Sequence, residues 1–150
     1  MAEESQVAAI AHVIQLSVAP VFLLAAVSGL LSVLTNRLGR IIDRSRVIEE
    51  KLSLGAIKEG ENQTERLEIF SRRARLVNYS IGLCTACASM VCLVIISLFA
   101  GVFFEVNYSK MIGLLFIAAM SSLFAALIFF LREILLATQT LRIGMLRKRV

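Results

Sequence analysis

Charged residues are absent from three long stretches of this 150-residue sequence, namely residues 5–36, 76–104 and 111–131. Each stretch supplies the roughly 20 mostly apolar residues that a membrane-spanning helix needs. The hydrophobic fraction of the chain is 58%, above the roughly 45–50% of ordinary soluble domains. The absence of charge therefore argues against a soluble protein and predicts an all-α integral membrane protein with three transmembrane helices.

Groups that carry most enzymatic chemistry are also scarce. Histidine occurs once, as His12, and none of the predicted spans contains a carboxylate. General acid–base catalysis needs titratable groups brought together, and coupled transporters normally keep ionisable residues within their spans. The sequence has no phosphate-binding glycine loop and no HExxH or GxSxG motif. We therefore expect a protein that is not an enzyme, is not a secondary transporter and holds no cofactor.

The three cysteines all lie in the second uncharged stretch. Cys84 and Cys87 have CxxC spacing, which is found in redox and metal sites. A zinc site needs about four ligands. The single histidine, His12, belongs to the first stretch and is expected on the opposite side of the membrane from Cys84 and Cys87. Cysteine in an apolar helix packs as a small hydrophobic residue. We favour packing for these cysteines and expect no metal site.

Basic residues indicate an orientation. Ten Lys and Arg residues lie in residues 36–75 and five in 132–150, whereas the leader has none and the turn at 105–110 has only Lys110. The positive-inside rule then predicts an outside N-terminus, with residues 37–76 and the C-terminus in the cytosol. The net charge of +5 is a topology signal, so we expect no nucleic acid partner. A leader with Glu3 and Glu4 is unlike a secretory signal, so we expect a retained first helix.

The layout is a single membrane domain, residues 1–150, with spans at about 10–36, 78–104 and 109–131. Apolar residues recur at three- and four-residue steps on both sides of the glycine-containing segment 53–62, which predicts a coiled-coil, antiparallel helical hairpin over residues 37–76. The two stripes are Leu38, Ile41, Ser45, Ile48 and Leu52, then Leu67, Phe70, Ala74 and Val77. Arg132 and Glu133 mark the inner end of the third span and open a basic tail, residues 132–150.

Arginines cluster at the membrane ends of the predicted hairpin and form a basic collar. Its members are Arg37, Arg40, Arg44, Arg72, Arg73 and Arg75. At 100° per residue the first three share one helix face, and Asp43 is close enough to pair with Arg40 or Arg46. Two interpretations stay open. The collar either extends to the anionic headgroups of the lipid bilayer, or forms a ring around a symmetry axis or a specific lipid or anion site.

Small and hydroxyl-bearing residues share another face of the first helix, and we call this set the small-residue seam. Its members are Ser17, Val21, Ala25, Ser28, Ser32, Thr35 and Gly39. Such a seam allows close helix packing within lipid, or lines a narrow pore when several copies assemble. Both uses remain open, and in either case we expect the face with Phe22, Leu23, Leu30 and Val33 to contact lipid.

The segment PVFLLAAVSGLLSVLTNRLGRIIDRSR, residues 20–46, resembles the signature of domain-of-unknown-function family 2721. That family comprises small three-pass prokaryotic membrane proteins. The resemblance rests on PVFLL at 20–24, NRLGRIIDR at 36–44 and the spacing between them. It implies a multi-pass protein of a bacterial or archaeal cytoplasmic membrane, and it implies no biochemical activity.

Two functional hypotheses follow. In the first, the chain self-associates into a homo-oligomer with its first helix at the axis, and this assembly is a passive ion channel. In the second, it is an accessory or scaffold subunit that docks other membrane subunits. A three-pass chain of 150 residues has too little interior for a permeation path of its own. A channel therefore requires self-association.

Overall fold

The structure, a computed structural model, describes residues 2–54, 61–104 and 109–146, with side chains described at 7–50, 54, 68–103 and 109–138. The described residues form three helices: α1 (Ala2–Ser53), α2 (Glu61–Phe104) and α3 (Ser109–Leu146). The predicted all-α fold with three helices is confirmed. Much of the predicted break at 53–62, and the side chains of Leu52 and Leu67, lie outside the described residues.

All three helices are long and apolar enough to cross a membrane. The candidate spans lie within Val7–Glu50, Glu68–Phe103 and Ser109–Thr138, and their apolar windows have mean hydropathies of 2.2, 2.5 and 2.6. The shortest has 30 residues, and at about 1.5 Å per residue a helix of that length exceeds the ~30 Å hydrocarbon core of a bilayer. The chain therefore has the helices of a multi-pass membrane protein.

Contacts divide the chain into two compact units, and each helix contributes to both. Unit 1 comprises Met1–Leu31 and Leu83–Phe124. Its buried residues recur at steps of three, four and seven along α1 and α2, which is the spacing of packed helix–helix contacts. They include Val13, Ser17, Pro20, Val27, Cys84, Cys87, Val91, Val94 and Ala119. The hydroxyl of Ser122 donates to the Leu83 carbonyl at 2.8 Å, so a hydrogen bond joins α3 to α2 within this unit.

Unit 2 comprises Ser32–Gly82 and Ala125–Val150. Its buried residues continue the same spacings and are Leu34, Ile41, Val77, Ser80, Ala126 and Glu133. The rings of Tyr79 and Phe129 pack with their centroids 5.9 Å apart, which adds a contact between α2 and α3. Glu133 is the only ionisable member of this buried set among the described residues.

Large apolar side chains cover much of the outside of both units. Phe22 and Phe103 are 72% and 75% exposed, whereas small residues such as Ala119 and Ala126 are fully buried. Small residues allow membrane helices to approach closely, and large apolar side chains lose nothing when they face lipid. This distribution fits a protein whose exterior contacts hydrocarbon.

Candidate functional site

A glutamate lies inside unit 2, buried by the periodicity of α3. Ala119, Ala126 and Glu133 are seven residues apart, so they share one face of the helix, and all three are buried. The Glu133 side chain is 0% exposed. It lies two residues after the end of the uncharged stretch 111–131. A buried carboxylate without partners would be costly. The neighbouring helices must therefore supply compensating charge.

Two arginines from the other helices supply that charge. Arg73 of α2 donates to Oε1 of Glu133 from Nε at 3.1 Å and from Nη2 at 2.8 Å. Arg37 of α1 places its Nε 3.4 Å from Oε2 of the same carboxylate. Glu133 thus connects one cationic side chain of α1 and one of α2 to α3.

The two carboxylate oxygens are held unequally. Oε1 accepts both hydrogen bonds from Arg73, whereas Oε2 accepts none from the described residues and has only its ion-pair contact with Arg37. The guanidinium carbon of Arg37 lies 5.4 Å from the centroid of the Phe130 ring, within the range of a cation–π interaction. Phe130 precedes Glu133 by one helical turn, so α3 contacts Arg37 twice. We call Glu133, Arg37, Arg73 and Phe130 the Glu133 cluster.

A cleft of about 340 Å³ between α1 and α2 shares both arginines of this cluster. We call it the arginine cleft. Its lining residues are Val33, Arg37, Arg40, Ile41 and Arg44 of α1 and Phe70 and Arg73 of α2. The α1 arginines are three and four residues apart, so the helix presents them on one face. The structure therefore brings four of the six predicted collar arginines into one concave site.

Positive charge in the arginine cleft exceeds the negative charge near it. No acidic residue is among the described residues of its lining, and Glu133 is the one carboxylate that contacts two of its arginines. Arg40 and Arg44 are exposed and form no ion pair within the part of the chain that the structure describes. Two guanidinium groups are thus available to a ligand.

The remaining collar residues lie elsewhere. Arg72 is exposed and does not line the arginine cleft. Arg75 lines a separate groove together with Leu38, Ile42, Ser71, Ala74 and Asn78. The arginines of the basic collar therefore lie in two different environments. Four line the arginine cleft, and Arg72 and Arg75 lie outside it.

Asp43, for which the sequence predicts an arginine partner, is exposed on α1. It makes no ion pair shorter than 4 Å with any described residue. The Coulomb energy of an exposed ion pair is largely offset by the side-chain entropy lost when the pair forms. Such a pair therefore contributes little to stability. Among the described residues, Glu133 is the carboxylate that contacts two arginines.

The small-residue seam lies on a different flank of α1 from the arginine cleft and shares no residue with its lining. Ser17 is buried and Gly39 is half-buried, and the other five members, Val21, Ala25, Ser28, Ser32 and Thr35, are exposed. Thr35 donates to the Ser32 carbonyl at 3.0 Å, which satisfies its hydroxyl within the helix. Within the described residues, the hydroxyls of Ser28 and Ser32 have no hydrogen-bond partner. Most of the seam is thus unoccupied by the part of the chain that the structure describes.

Sequence reasoning missed the role of Glu133 because it treated this residue as the boundary of the third span. The signal that locates it is the seven-residue repeat through Ala119 and Ala126, which assigns Glu133 to the packed face. Glu133 also lies within Ser109–Thr138, the part of α3 that contains the candidate span. An ionisable residue in such a position is a candidate for function by default.

The cysteines contribute to packing in this structure. Cys84 and Cys87 are free and buried on the packed face of α2, and Cys92 is free and exposed. Among the described residues, no group of three or more His, Cys, Asp or Glu side chains is placed to hold a metal ion. His12 is exposed.

A protein-family model described as "Protein of unknown function (DUF2721)" matches residues 17–143. The match covers most of the chain and includes the small-residue seam, the Glu133 cluster and the arginine cleft. It confirms the resemblance carried by residues 20–46. No curated protein and no solved structure matches the chain.

Proposed function

We propose that the chain, which belongs to the DUF2721 family of proteins of unknown function, is a non-enzymatic membrane protein that self-associates through α1. The observation that carries this proposal is the small-residue seam, which is exposed over residues 21–35. Small side chains allow two helix backbones to approach closely in lipid, where association depends on packing and on hydrogen bonds between helices. A second copy of α1 is the occupant that fits this surface best.

The hydroxyls of the seam support the same proposal. Ser28 and Ser32 lie one turn apart, and within the described residues their hydroxyls have no hydrogen-bond partner. A serine in a membrane helix can donate to a backbone carbonyl of its own helix, as Ser121 does to Ile117 at 2.9 Å. Hydroxyls left without that bond are available to a neighbouring helix or to water. An assembly of several chains would supply both partners, a helix of another copy or the water of a pore between copies.

The proposed assembly is a passive ion channel with α1 at its axis. The exposed part of the seam contains hydroxyls, small apolar side chains and no ionisable group. Its polar groups can replace part of the hydration shell of an ion, and it offers no proton acceptor for coupled transport. The conduction path would therefore be formed between copies.

Basic residues support an orientation for this assembly. We infer that the N-terminus is outside, that the connection between α1 and α2 and the C-terminus are in the cytosol, and that the membrane is the cytoplasmic membrane of a prokaryote. The inference rests on the excess of Lys and Arg in residues 36–75 and 132–150. It places the arginine cleft at the cytosolic membrane surface.

Substitution of Ser28 by leucine tests the channel. The purified protein is weighed in mild detergent and then reconstituted into liposomes for an ion-flux assay. A pore-facing Ser28→Leu variant keeps the particle mass and loses flux. If the seam packs between copies of α1 instead, the added bulk costs about 1–3 kcal/mol and disperses the particle. That result would support self-association through α1 and contradict a conduction path along the seam.

Ala26→Leu is the matched control, because Ala26 is an exposed small residue of α1 outside the seam. It should keep both mass and flux. A Ser28→Leu protein with unchanged mass and flux would contradict the proposal, since the seam would then face lipid. A parent particle that contains unrelated subunits and only one copy of this chain would instead support a scaffold subunit.

A further inference from the structure

The arginine cleft has the features of a built anion site. Arg37, Arg40, Arg44 and Arg73 all line it, and Glu133 is the carboxylate that contacts two of them. Four cations at one concavity repel one another, so the arrangement is stabilised by any anion that enters. The remaining lining residues, Val33, Ile41 and Phe70, form apolar walls that limit competing hydration.

The Glu133 cluster prepares half of this site in advance. Arg73 is held by two hydrogen bonds to Oε1 of Glu133, and Arg37 contacts both Oε2 and the Phe130 ring. Side chains fixed in this way lose little further entropy when a ligand arrives. Arg40 and Arg44 are exposed and can adjust to the ligand. The cleft therefore combines two positioned and two adaptable guanidinium groups.

Guanidinium geometry favours one class of anion. The planar fork of arginine donates two parallel hydrogen bonds to carboxylate or phosphate, and phosphate offers more oxygens to several forks at once. The volume of about 340 Å³ is within the usual range for small-ligand sites and exceeds that of a bare phosphate group. The cleft thus has space for a substituted phosphate.

The position of the cleft along α1 indicates where such a phosphate is found. Val33 belongs to the uncharged stretch 5–36, and Arg37 is the first charged residue after it. The cleft therefore lies where the apolar helix surface meets the first charges, which is the depth of phospholipid headgroups. It is also open to soluble compounds at that surface.

We propose that the arginine cleft binds a phosphate group, carried either by the headgroup of an anionic phospholipid or by a soluble phosphate. The phosphate oxygens accept hydrogen bonds from Arg40 and Arg44 and contact the positioned Arg37 and Arg73. Glu133 is a positioning residue in this site, because it holds two arginines and is itself fully buried. The proposal is independent of ion conduction.

The test measures the thermal stability of the full-length protein in dodecyl maltoside micelles with three additions. These are phosphatidylglycerol, phosphatidylcholine at the same lipid concentration, and inorganic phosphate against chloride at the same ionic strength. Stabilisation by phosphatidylglycerol alone assigns the phosphate to a lipid headgroup. Stabilisation by inorganic phosphate as well shows that the cleft also accepts soluble phosphates.

A pair of double variants decides whether either effect arises in the cleft. Arg40→Gln with Arg44→Gln removes two charges from the cleft, and Arg46→Gln with Arg72→Gln removes two exposed charges that do not line it. We expect the cleft pair to weaken binding of the stabilising anion about tenfold or more, as the loss of charge-assisted hydrogen bonds predicts. The matched pair should change it less than about twofold, as expected for exposed, screened charges.

Arg40→Lys with Arg44→Lys separates geometry from charge. Lysine keeps both charges without the planar fork, so the proposal predicts binding weaker than in the parent protein. Equal losses in the cleft pair and the matched pair would overturn the proposal, because they would indicate unspecific attraction to a basic surface. A parent protein that neither phosphatidylglycerol nor inorganic phosphate stabilises would overturn it as well.

Discussion

Two nitrogens of Arg73 donate hydrogen bonds to one oxygen of Glu133, sixty residues further along the chain. The carboxylate is completely buried, and the Arg73 side chain is 14% exposed. Such a pair differs from an exposed ion pair, because removal of one partner leaves a charge with little access to water. The pair therefore fixes the position of α2 against α3 within unit 2.

Replacement of Glu133 by glutamine should destabilise the protein strongly. The variant keeps the shape of the side chain and removes the negative charge that faces Arg73 and Arg37. Breaking a buried ion pair typically costs about 3–5 kcal/mol. We expect a marked drop in the midpoint of thermal unfolding in detergent. A fluorescence or aggregation assay measures this midpoint.

The control for this variant is Glu68→Gln, because Glu68 is an exposed carboxylate of α2. It should leave the unfolding midpoint nearly unchanged. Addition of Arg73→Met to Glu133→Gln should recover part of the lost stability, since the more buried of the two uncompensated guanidinium groups is then absent. Equal unfolding midpoints for Glu133→Gln and Glu68→Gln would mean that the cluster contributes nothing to stability.

Ser122 and Ser121 provide an adjacent pair that isolates a hydrogen bond between helices. The Ser122 hydroxyl donates to Leu83 of α2, whereas the Ser121 hydroxyl donates to Ile117 of its own helix. Hydrogen bonds between membrane helices contribute about 0.6 kcal/mol on average. Ser122→Ala should therefore lower the free energy of unfolding by about that amount, and Ser121→Ala should leave it unchanged. The same loss in both variants would show that the bond to Leu83 has no stabilising role.

Labelling with an impermeant thiol reagent tests the orientation. Gly60→Cys is introduced into a protein in which Cys84, Cys87 and Cys92 are replaced by alanine. Since residues 36–75 carry ten basic residues, we expect Gly60→Cys to react only after the cells are opened. A cysteine placed in the leader, as Ser5→Cys, should react in intact cells. Reversed labelling of the two variants would overturn the orientation.

The three helices were predictable because charged residues bound each long uncharged, apolar stretch of the sequence. The stripe Leu38, Ile41, Ser45 and Ile48 was predictable from the same contrast between charged and apolar residues, and its members are buried or half-buried in unit 2. Within the uncharged stretches that contrast disappears, since every face of the helix is apolar. The buried repeat through Val13, Pro20, Val27 and Leu34 could not be distinguished there from the face toward lipid.

The candidate site was only partly predictable from sequence. Helix periodicity places Arg37, Arg40 and Arg44 on one face, but it does not indicate which helix lies opposite. The contribution of Arg73 and the burial of Glu133 depend on contacts between α1, α2 and α3. Asp43 is the carboxylate nearest in sequence to the α1 arginines. The structure instead brings in Glu133 of α3, which is 60 residues from Arg73 in the sequence.

Self-association through the small-residue seam is the central claim, and a cysteine scan along residues 21–35 of α1 tests it most directly. Each single cysteine is introduced into the background without native cysteines, oxidised in native membranes and assayed for disulfide-linked dimers. Because a disulfide needs Cα atoms about 4.4–6.8 Å apart, dimers form only where α1 approaches another copy. We predict dimers that peak at Ala25, Ser28 and Ser32 and are absent at Phe22 and Ala26. Dimers with no such periodicity, or with their maximum at Phe22 and Ala26, would contradict the claim.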